Sequence, residues 1–168
     1  KVIVIACGTA SSAALPKIQD EIKTGIIGVL EPTCAAAVRT TKNGKIGVIG
    51  TQGTINSGKY LQTINRMNPD LEVFSRACPM FVPLVENGYL RGTIPRMIIE
   101  EYLTPIKESG VDTLILGCTH YPLLREEIQK FMGDGVKLID SGAEAAVEAR
   151  ERLEASGMLC DKKGGTDR

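Results

Sequence analysis

Short apolar runs alternate with amphipathic segments along most of the 168-residue chain. The apolar runs are rich in valine, isoleucine and leucine and are bounded by glycine, proline or polar residues, which predicts buried β-strands. The segments between them repeat apolar residues at helical spacing, which predicts a helix after most strands. The predicted strands cover VIVIA (2–6), GIIGVL (25–30), KIGVIGT (45–51), LEVFS (71–75), VDTLILG (111–117) and GVKLID (135–140).

Two of the predicted helices have recognisable starting residues. Ser11 or Ser12 is expected to be the N-cap of the helix after the first strand, and the pair Asp140 and Ser141 suits the N-cap of the last helix. Residues 78–93 combine prolines and glycines, which predicts an irregular loop with one helical turn. The helix predicted over 94–110 has its apolar stripe on Met97, Ile98, Tyr102 and Ile106.

The repeated order of strand and helix predicts an α/β fold with a doubly wound, mainly parallel sheet that helices cover on both faces. In open sheets of this kind, ligands bind beyond the carboxyl ends of the strands. Functional residues are therefore expected directly after the predicted strands.

The charge and hydropathy of the chain exclude several classes of partner. Twenty basic residues balance twenty acidic ones, so no net positive field attracts a nucleic acid or an anionic membrane surface. The apolar runs are far shorter than the roughly 20 residues needed to cross a bilayer. We therefore expect a soluble protein without a nucleic-acid or membrane partner.

Five cysteines are spread along the chain without a C-x-x-C pair. A disulfide framework or a structural zinc site needs closer clustering, so we expect free thiols in a reducing cytoplasm and no metal site. Cys34, Cys78 and Cys160 have no special context and are expected to be small buried apolar residues.

Cys7 and Cys118 differ from the other cysteines because each directly follows a predicted strand and precedes a threonine within two positions. They lie in the segments ACGTA (6–10) and GCTHYP (117–122). A thiol between a strand and a helix lies near unpaired N–H groups and the positive end of the helix dipole, which lower its pKa. The matched context indicates a functional role for both thiols.

Two ionisable residues near these segments are further candidates. His120 is the only histidine and follows Cys118 by two positions, so it can either exchange protons with that thiol near neutral pH or make a structural hydrogen bond. Glu86 lies in the loop rich in proline and glycine, where a solvated surface charge is the ordinary interpretation.

A polar segment, VIGTQGTINSGKY (48–60), follows the third strand. Its glycines allow a tight turn, and Thr51, Thr54 and Ser57 offer hydroxyl groups there. The glycine spacing matches neither a P-loop nor a dinucleotide-binding fingerprint, so no nucleotide is inferred. A polar cap of the following helix and a carboxylate-binding loop are both open interpretations.

Taken together, these segments resemble the glutamate racemase family. That family has the cysteine motifs A-C-N-T-A and G-C-T-H-Y-P, which correspond to residues 6–10 and 117–122. VLEP (29–32), IGVIGTQGT (46–54) and CPMFVPLVE (78–86) also resemble the family and occur in the expected order. The resemblance covers nearly the whole chain apart from its polar end.

The resemblance implies a cofactor-independent isomerase that interconverts L- and D-glutamate and supplies D-glutamate for bacterial peptidoglycan. Inverting a Cα centre needs one base to remove the proton from one face and an acid to supply a proton to the other. Cys7 and Cys118 would be that catalytic pair on opposite sides of a cleft, with His120 assisting Cys118. The implied substrate-binding positions are Gly8, Thr9, Thr54, Thr119 and His120, and Glu86 would support His120.

The resemblance also implies two doubly wound parallel-sheet domains with the cleft between them, the first domain being incomplete. Residues 1–30 and 141–168 would form the partial domain A, and residues 31–140 would form domain B. Gly8 stands where the family has Asn, and the family's N-terminal Asp-Ser-Gly and Pro-Tyr-Gly motifs have no counterpart ahead of the first strand. We therefore expect an N-terminally truncated chain whose activity is absent or severely impaired.

Three other functions are weighed against this one. In aspartate racemase the second cysteine is typically followed by Thr and Glu, whereas His120 here favours glutamate. A non-catalytic α/β module that binds an amino acid is favoured by Gly8, which has no side chain to contact a substrate. A thiol redox protein is disfavoured because no resolving cysteine lies near either thiol. The sequence does not fix the oligomeric state, and a homodimer is among the alternatives.

Overall fold

The computed structural model describes residues 1–18 and 21–159, which form two parallel β-sheets with helices packed around them. The strands are β1 (Val2–Ile5), β2 (Gly25–Gly28), β3 (Lys45–Gly50), β4 (Glu72–Ala77), β5 (Thr113–Leu116) and β6 (Lys137–Asp140). The first sheet pairs β1 with β2, and the second has the strand order β4-β3-β5-β6. Every pairing is parallel, so the predicted α/β class is confirmed.

Helical segments separate the strands in the predicted alternation. A 3₁₀ turn, Tyr121–Leu124, follows β5. The α-helices are α1 (Gly8–Ala13), α2 (Leu15–Ile18), α3 (Leu30–Thr40), α4 (Gln52–Asn56), α5 (Lys59–Met67), α6 (Phe81–Glu86), α7 (Thr93–Glu108), α8 (Arg125–Met132) and α9 (Ser141–Ala155). The segment predicted as an irregular loop with one helical turn contains α6.

Both faces of the four-stranded sheet are buried. Alternate side chains of its central strands point to opposite faces, so each face contributes to its own core. Leu114 and Leu116 of β5 belong to a core that includes Phe81, Ile99 and Leu103. Ile115 belongs to the core on the other face, which includes Cys34, Ala37, Ile46, Val48, Tyr60 and Ile64. The continuous apolar sequence of β3 and β5 follows from this burial on two sides.

The carboxyl ends of the central strands coincide at one edge of the sheet. Ile49 of β3 is opposite Leu116 of β5, and both strands end within one residue of this pair. Thr51 and Cys118 therefore leave the sheet on the same side. This is the edge at which open parallel sheets bind ligands.

The first helix begins earlier than predicted. Cys7 is the N-cap of α1, and neither Ser11 nor Ser12 caps a helix. Instead the Ser11 hydroxyl donates to the carbonyl of Ile5 at 3.0 Å and accepts from the N–H of Val29 at 3.2 Å. The prediction of a serine N-cap was therefore wrong, because Ser11 joins the ends of β1 and β2.

The apolar stripe of α7 also differs from the prediction. Of the predicted stripe, Ile106 is buried and Ile98 and Tyr102 are partly buried against the core, whereas Met97 is 64% exposed. Ile99 and Leu103, which lie outside the predicted stripe, are fully buried. The buried positions repeat at 99, 103 and 106, so the buried stripe is rotated from the predicted one. At the start of α9 the prediction is confirmed, since the Asp140 carboxylate accepts from the N–H groups of Gly142 and Ala143.

The small sheet has a different environment from the large one. The side chains of Ile3 and Val4 in β1 are exposed. Helix α9 packs on β1 and β2 and also on α3. The proposed boundaries of domain A, 1–30 with 141–168, and of domain B, 31–140, stay a prediction.

None of the helices within the described ranges is long and apolar enough to span a membrane.

Candidate active site

The two cysteine segments identified in the sequence lie next to each other in the fold. Cys7 follows β1 as the N-cap of α1 and is exposed, whereas Cys118 follows β5 and is only 8% exposed. One thiol comes from each sheet.

The contact between the segments is made by two glycines. A Cβ atom built on Gly8 would lie 2.5 Å from the carbonyl oxygen of Gly117. The N–H of Gly117 in turn donates to the carbonyl of Ile49 at 2.8 Å, and a Cβ atom on Gly117 would lie 2.7 Å from that oxygen. Three backbone segments are therefore in direct contact, and neither Gly8 nor Gly117 has room for a side chain.

Three threonine hydroxyls, which we call the threonine cluster, lie beside this contact. The oxygen of Thr9 is 3.0 Å from the oxygens of both Thr51 and Thr54, which are themselves 3.1 Å apart. Thr51 is the N-cap of α4 and accepts from the N–H of Thr54. The cluster joins the first residues of α1 to α4, where hydroxyl donors are available to an anion.

A line of polar groups leads from Cys118 to the surface. The Nδ1 atom of His120 lies 3.8 Å from Cys118 Sγ and 3.4 Å from the hydroxyl of Thr119. The Nε2 atom of His120 lies 3.4 Å from a carboxylate oxygen of Glu86, whose side chain is 63% exposed. Glu86 is thus both a surface charge, as its sequence context indicated, and a neighbour of the histidine.

The protonation of Cys118 is governed by opposing effects. Burial raises its pKa above the ordinary value, and the Cys7 thiol adds to this rise. Hydrogen bonds from the backbone of His120 and Tyr121 and from the Thr119 side chain lower it, but the net direction is upward. The prediction of a lowered pKa was wrong here, because an α-helix does not begin at Cys118 and desolvation exceeds the effect of the N–H donors.

Two other cysteines are buried in the cores. Burial raises the pKa of both the Cys34 thiol and the Cys78 thiol to about 12, so each stays a neutral apolar group. This agrees with the structural role expected for them. Cys160 lies outside the described residues.

Sequence reasoning placed Thr9 and Thr54 at the site but gave Thr51 no role beyond a loop hydroxyl. The segment from Thr51 onward forms the short helix α4, and this turn directs the Thr51 hydroxyl towards its two partners. The spacing of threonine at a possible N-cap and three residues later was the available signal.

A separate cavity of about 610 Å³ lies between the small sheet and α5, and neither Cys7 nor Cys118 lines it. Its charged lining residues are Glu31, Lys59, Arg66 and Arg152. Glu31 pairs with Arg66 there. Among residues 1–18 and 21–159, groups of three or more His, Cys, Asp or Glu side chains that could hold a metal ion do not occur.

The fold and the site define an α/β protein that brings two thiols to the carboxyl edge of parallel strands, beside a histidine and a cluster of hydroxyls. This arrangement suits proton transfer to and from a small substrate. A family model described as Asp/Glu/hydantoin racemase matches residues 1–149, and the chain belongs to that family.

Individual relatives agree with this assignment. Glutamate racemase from Geobacter metallireducens is 45% identical over 159 residues, which are 95% of this chain and 59% of that protein. The crystal structure of glutamate racemase isoform RacE1 from Bacillus anthracis has a TM-score of 0.92 and 42% identity, covering 96% of this chain and 60% of that one.

The structure of glutamate racemase from Francisella tularensis in complex with D-glutamate has a TM-score of 0.89 and 35% identity, covering 97% of this chain and 60% of that one. The chain therefore spans about three fifths of the length of these relatives. The resemblance inferred from the motifs and the two-domain α/β fold are confirmed.

Proposed function

We propose that this chain carries the two-base site of a glutamate racemase, an isomerase that interconverts L- and D-glutamate. The observation that carries the proposal is the direct contact of Gly8 with Gly117, which brings the residues next to Cys7 and Cys118 together at one strand edge. Two sulfur acids from different sheets can then act on one substrate carbon.

The charge balance of the two thiols supports this chemistry. The Cys7 thiol raises the pKa of Cys118, so ionisation of one thiol disfavours ionisation of the other. One thiolate and one thiol is the state that a two-base racemisation needs. The thiolate takes the α-proton, the electron pair stays on the substrate as a carbanion, and the opposite thiol supplies its proton to the other face.

His120 and Glu86 give Cys118 a route for its proton. With Nδ1 facing the thiol and Nε2 facing a carboxylate, the imidazole can accept a proton from Cys118 while Glu86 stabilises the resulting positive charge. The same pair returns the proton in the opposite direction of the reaction. His120 lies in the loop after β5, and Glu86 is the last residue of α6.

The threonine cluster and Thr119 are proposed to bind the substrate carboxylate. Hydroxyl donors at this position stabilise the negative charge that develops on the carboxylate as the carbanion forms. An enzyme without another electron acceptor must stabilise the carbanion through the substrate carboxylate. Gly8 contributes only its backbone N–H. The proposed contacts are those of Thr9, Thr51, Thr54 and Thr119.

Glutamate is proposed over aspartate because His120 occupies the second position after Cys118 and because the compared relatives are glutamate racemases. The D-glutamate product would serve bacterial peptidoglycan, and with it the cell wall and cell shape. The free thiols of the described residues fit a reducing cytoplasm. A homodimer is a further prediction, which sedimentation of the chain can test.

A binding module without catalysis is the competing function, and Gly8 favours it. A glycine removes the side chain that the family places next to its first cysteine. Such a protein would bind glutamate at the threonine cluster without moving the α-proton.

Incubation of the chain with L-glutamate in D₂O separates these functions. Even at the severely reduced rate that the sequence predicts for this chain, racemase chemistry places deuterium at Cα and produces D-glutamate, which circular dichroism follows, faster than a Cys7→Ser/Cys118→Ser double variant does. If glutamate binds but its α-proton exchanges no faster than it does with the double variant, the proposal is contradicted. L-aspartate in a parallel incubation tests the choice of substrate.

A further inference from the structure

Ser141 is a buried serine whose hydroxyl joins the last helix to the strand that precedes Cys118. It is the first residue of α9 and is 1% exposed. Its hydroxyl donates to the carbonyl oxygen of Leu116, the last residue of β5, at 3.0 Å. Leu116 is fully buried, so water does not replace a donor that is lost here.

The Ser141 hydroxyl is not needed to start the helix. The Asp140 carboxylate is the N-cap of α9 and accepts from the N–H groups of Gly142 and Ala143. Asp140 is also the β6 residue that lies opposite Leu116 in the sheet. The Ser141 side chain therefore bonds back to β5 at the point where the chain leaves β6 and becomes helical.

The bonded carbonyl belongs to the peptide unit that joins Leu116 to Gly117. The N–H of this unit, on Gly117, donates to the carbonyl of Ile49 in β3 at 2.8 Å. The next unit joins Gly117 to Cys118, and its carbonyl oxygen is the one that lies against Gly8 of α1. Two consecutive peptide units are thus held by α9, β3 and α1, and the second of them leads into Cys118.

Helix α9 connects the two sheets that carry the thiols. Its first residue bonds β5 of the four-stranded sheet, and the helix packs on β1 and β2 of the small sheet. Near its other end, the Arg152 guanidinium donates to the carbonyl of Ile26 in β2 at 3.4 Å. Because Cys7 follows β1 and Cys118 follows β5, a shift of α9 relative to β5 moves one thiol relative to the other.

We propose that Ser141 is a positioning residue for Cys118, because its bond to Leu116 holds the end of β5 on α9 and so sets where the thiol lies relative to the small sheet. Without the hydroxyl, a buried carbonyl loses this donor and the segment from Leu116 to Cys118 opens more often. The catalytic importance of this position rests on the proposed function, whereas the effect of the bond on the thiol does not.

The accessibility of Cys118 is the direct readout. Cys7→Ser and Cys7→Ser/Ser141→Ala chains are treated with iodoacetamide at neutral pH, and each cysteine-containing peptide is quantified over time by mass spectrometry. Alkylation of Cys118 is expected to be about five-fold faster without the Ser141 hydroxyl. Cys34 and Cys78 are fully buried in the two cores, so their alkylation is expected to be no faster than in the Cys7→Ser chain.

Thr33→Val in the same Cys7→Ser background is the matched control. The Thr33 side chain is fully buried and its hydroxyl donates to the carbonyl of Val29, so this variant loses a bond of the same kind that involves neither β5 nor α9. Alkylation of Cys118 should stay at the rate of the Cys7→Ser chain.

Turnover of L-glutamate by chains that retain both thiols gives the second readout. Ser141→Ala is expected to lower kcat by about ten-fold through misplacement of Cys118. KM should stay constant, because the threonine cluster is unchanged. Thr33→Val should change neither value.

Alkylation of Cys118 that Ser141→Ala leaves unchanged overturns the proposal, and so does a kcat equal to that of the parent chain. Faster alkylation that Cys34 and Cys78 share, or that Thr33→Val also produces, overturns it as well, since the hydroxyl then serves only general stability. A Ser141→Ala chain that fails to fold has the same meaning.

The alkylation experiment contains no glutamate, so it separates this proposal from the racemase assignment. Faster alkylation of Cys118 alone, in a chain whose parent shows no Cα exchange, supports the role of Ser141 and rejects the proposed function. Cα exchange by the parent together with unchanged alkylation does the reverse.

Discussion

A Cβ atom built on Gly8 would lie 2.5 Å from the carbonyl oxygen of Gly117. Real Cβ atoms essentially never approach an oxygen so closely, so Gly8 is required for the observed contact between the two cysteine segments. The residue that departs from the family's Asn is therefore the one that sets how closely the segments approach. Its replacement has a definite structural consequence.

Substitution of Gly8 with Ala is expected to lower the free energy of unfolding by about 1–3 kcal/mol, because the backbone at Gly117 must shift to relieve the overlap. Gly53→Ala is the matched control. Gly53 lies in α4, and a Cβ atom there would meet only Thr9 Cγ2 of α1 at 3.5 Å, which is an ordinary van der Waals contact. Urea unfolding measures both changes, and equal stabilities of the two variants would mean that the Gly8 contact is not tight in solution.

Replacement of Thr54 with Val tests the threonine cluster. The side chain is buried and its hydroxyl lies 3.0 Å from that of Thr9. Loss of a hydrogen bond to a bound carboxylate costs about 1.5–3 kcal/mol, so KM for glutamate is expected to rise roughly ten- to hundred-fold. Thr63→Val, a buried threonine outside the cluster, should leave KM unchanged; an equal rise in both variants would indicate general loss of structure instead.

Substitution of Glu86 with Gln tests the support of His120. The Glu86 carboxylate is mostly exposed, and exposed ion pairs contribute at most about 1 kcal/mol, so kcat is expected to fall by about two- to five-fold. KM should stay constant, because Glu86 does not lie among the proposed substrate contacts. Glu72→Gln, which changes an exposed pair with Lys45, is the control. An unchanged kcat for Glu86→Gln removes Glu86 from the proton route.

Glu127 provides a prediction about stability at low pH. This carboxylate is buried and accepts from Arg96 at 2.7 Å and Lys130 at 3.0 Å. The hydrogen bond from Arg96, followed by that from Lys130, lowers the pKa of Glu127 to about 2 from an ordinary value of 4.5. Its folded pKa is depressed, so its contribution to stability is fully present above 4.5 and is lost as the pH falls towards about 2.

Glu127→Gln is therefore expected to be less stable than the parent chain at neutral pH and to approach it in acid. Chemical denaturation at several pH values measures the difference. Glu126→Gln, which alters only an exposed pair with Arg91, should follow the parent chain at every pH. If the difference in the free energy of unfolding between Glu127→Gln and the parent chain did not change with pH, the low pKa of Glu127 would be contradicted.

Hydrophobic patterning predicted the six strands and the edge at which both cysteines lie, because strand burial on two faces leaves a continuous apolar signature. The pattern failed where tertiary contacts decide. Ser11 is a residue type that often caps helices, but its hydroxyl bonds Ile5 and Val29 instead. Met97 belongs to the predicted apolar stripe of α7, but the fold leaves its side chain exposed.

The chemistry of the site was predictable in part. The motifs indicated Cys7, Cys118 and His120 as candidates, and the structure brings their segments together. The direction of the Cys118 pKa shift depends on how deeply the thiol is buried, which a motif does not encode. The proximity of the Tyr60 ring to Gly117 was not predicted, since it arises from packing of α5 against the residue that follows β5. Both features required three-dimensional neighbours from distant parts of the sequence.

The most direct test compares Cα deuterium exchange of the two single variants Cys7→Ser and Cys118→Ser with pure L-glutamate and pure D-glutamate in D₂O. If each sulfur reaches Cα from its own side, each variant will place deuterium on one enantiomer only, a different enantiomer for each variant, and will not invert it. The labelling will depend on the thiol that the variant retains. Labelling of the same enantiomer by both variants, or of neither, would contradict two opposed bases at one carbon.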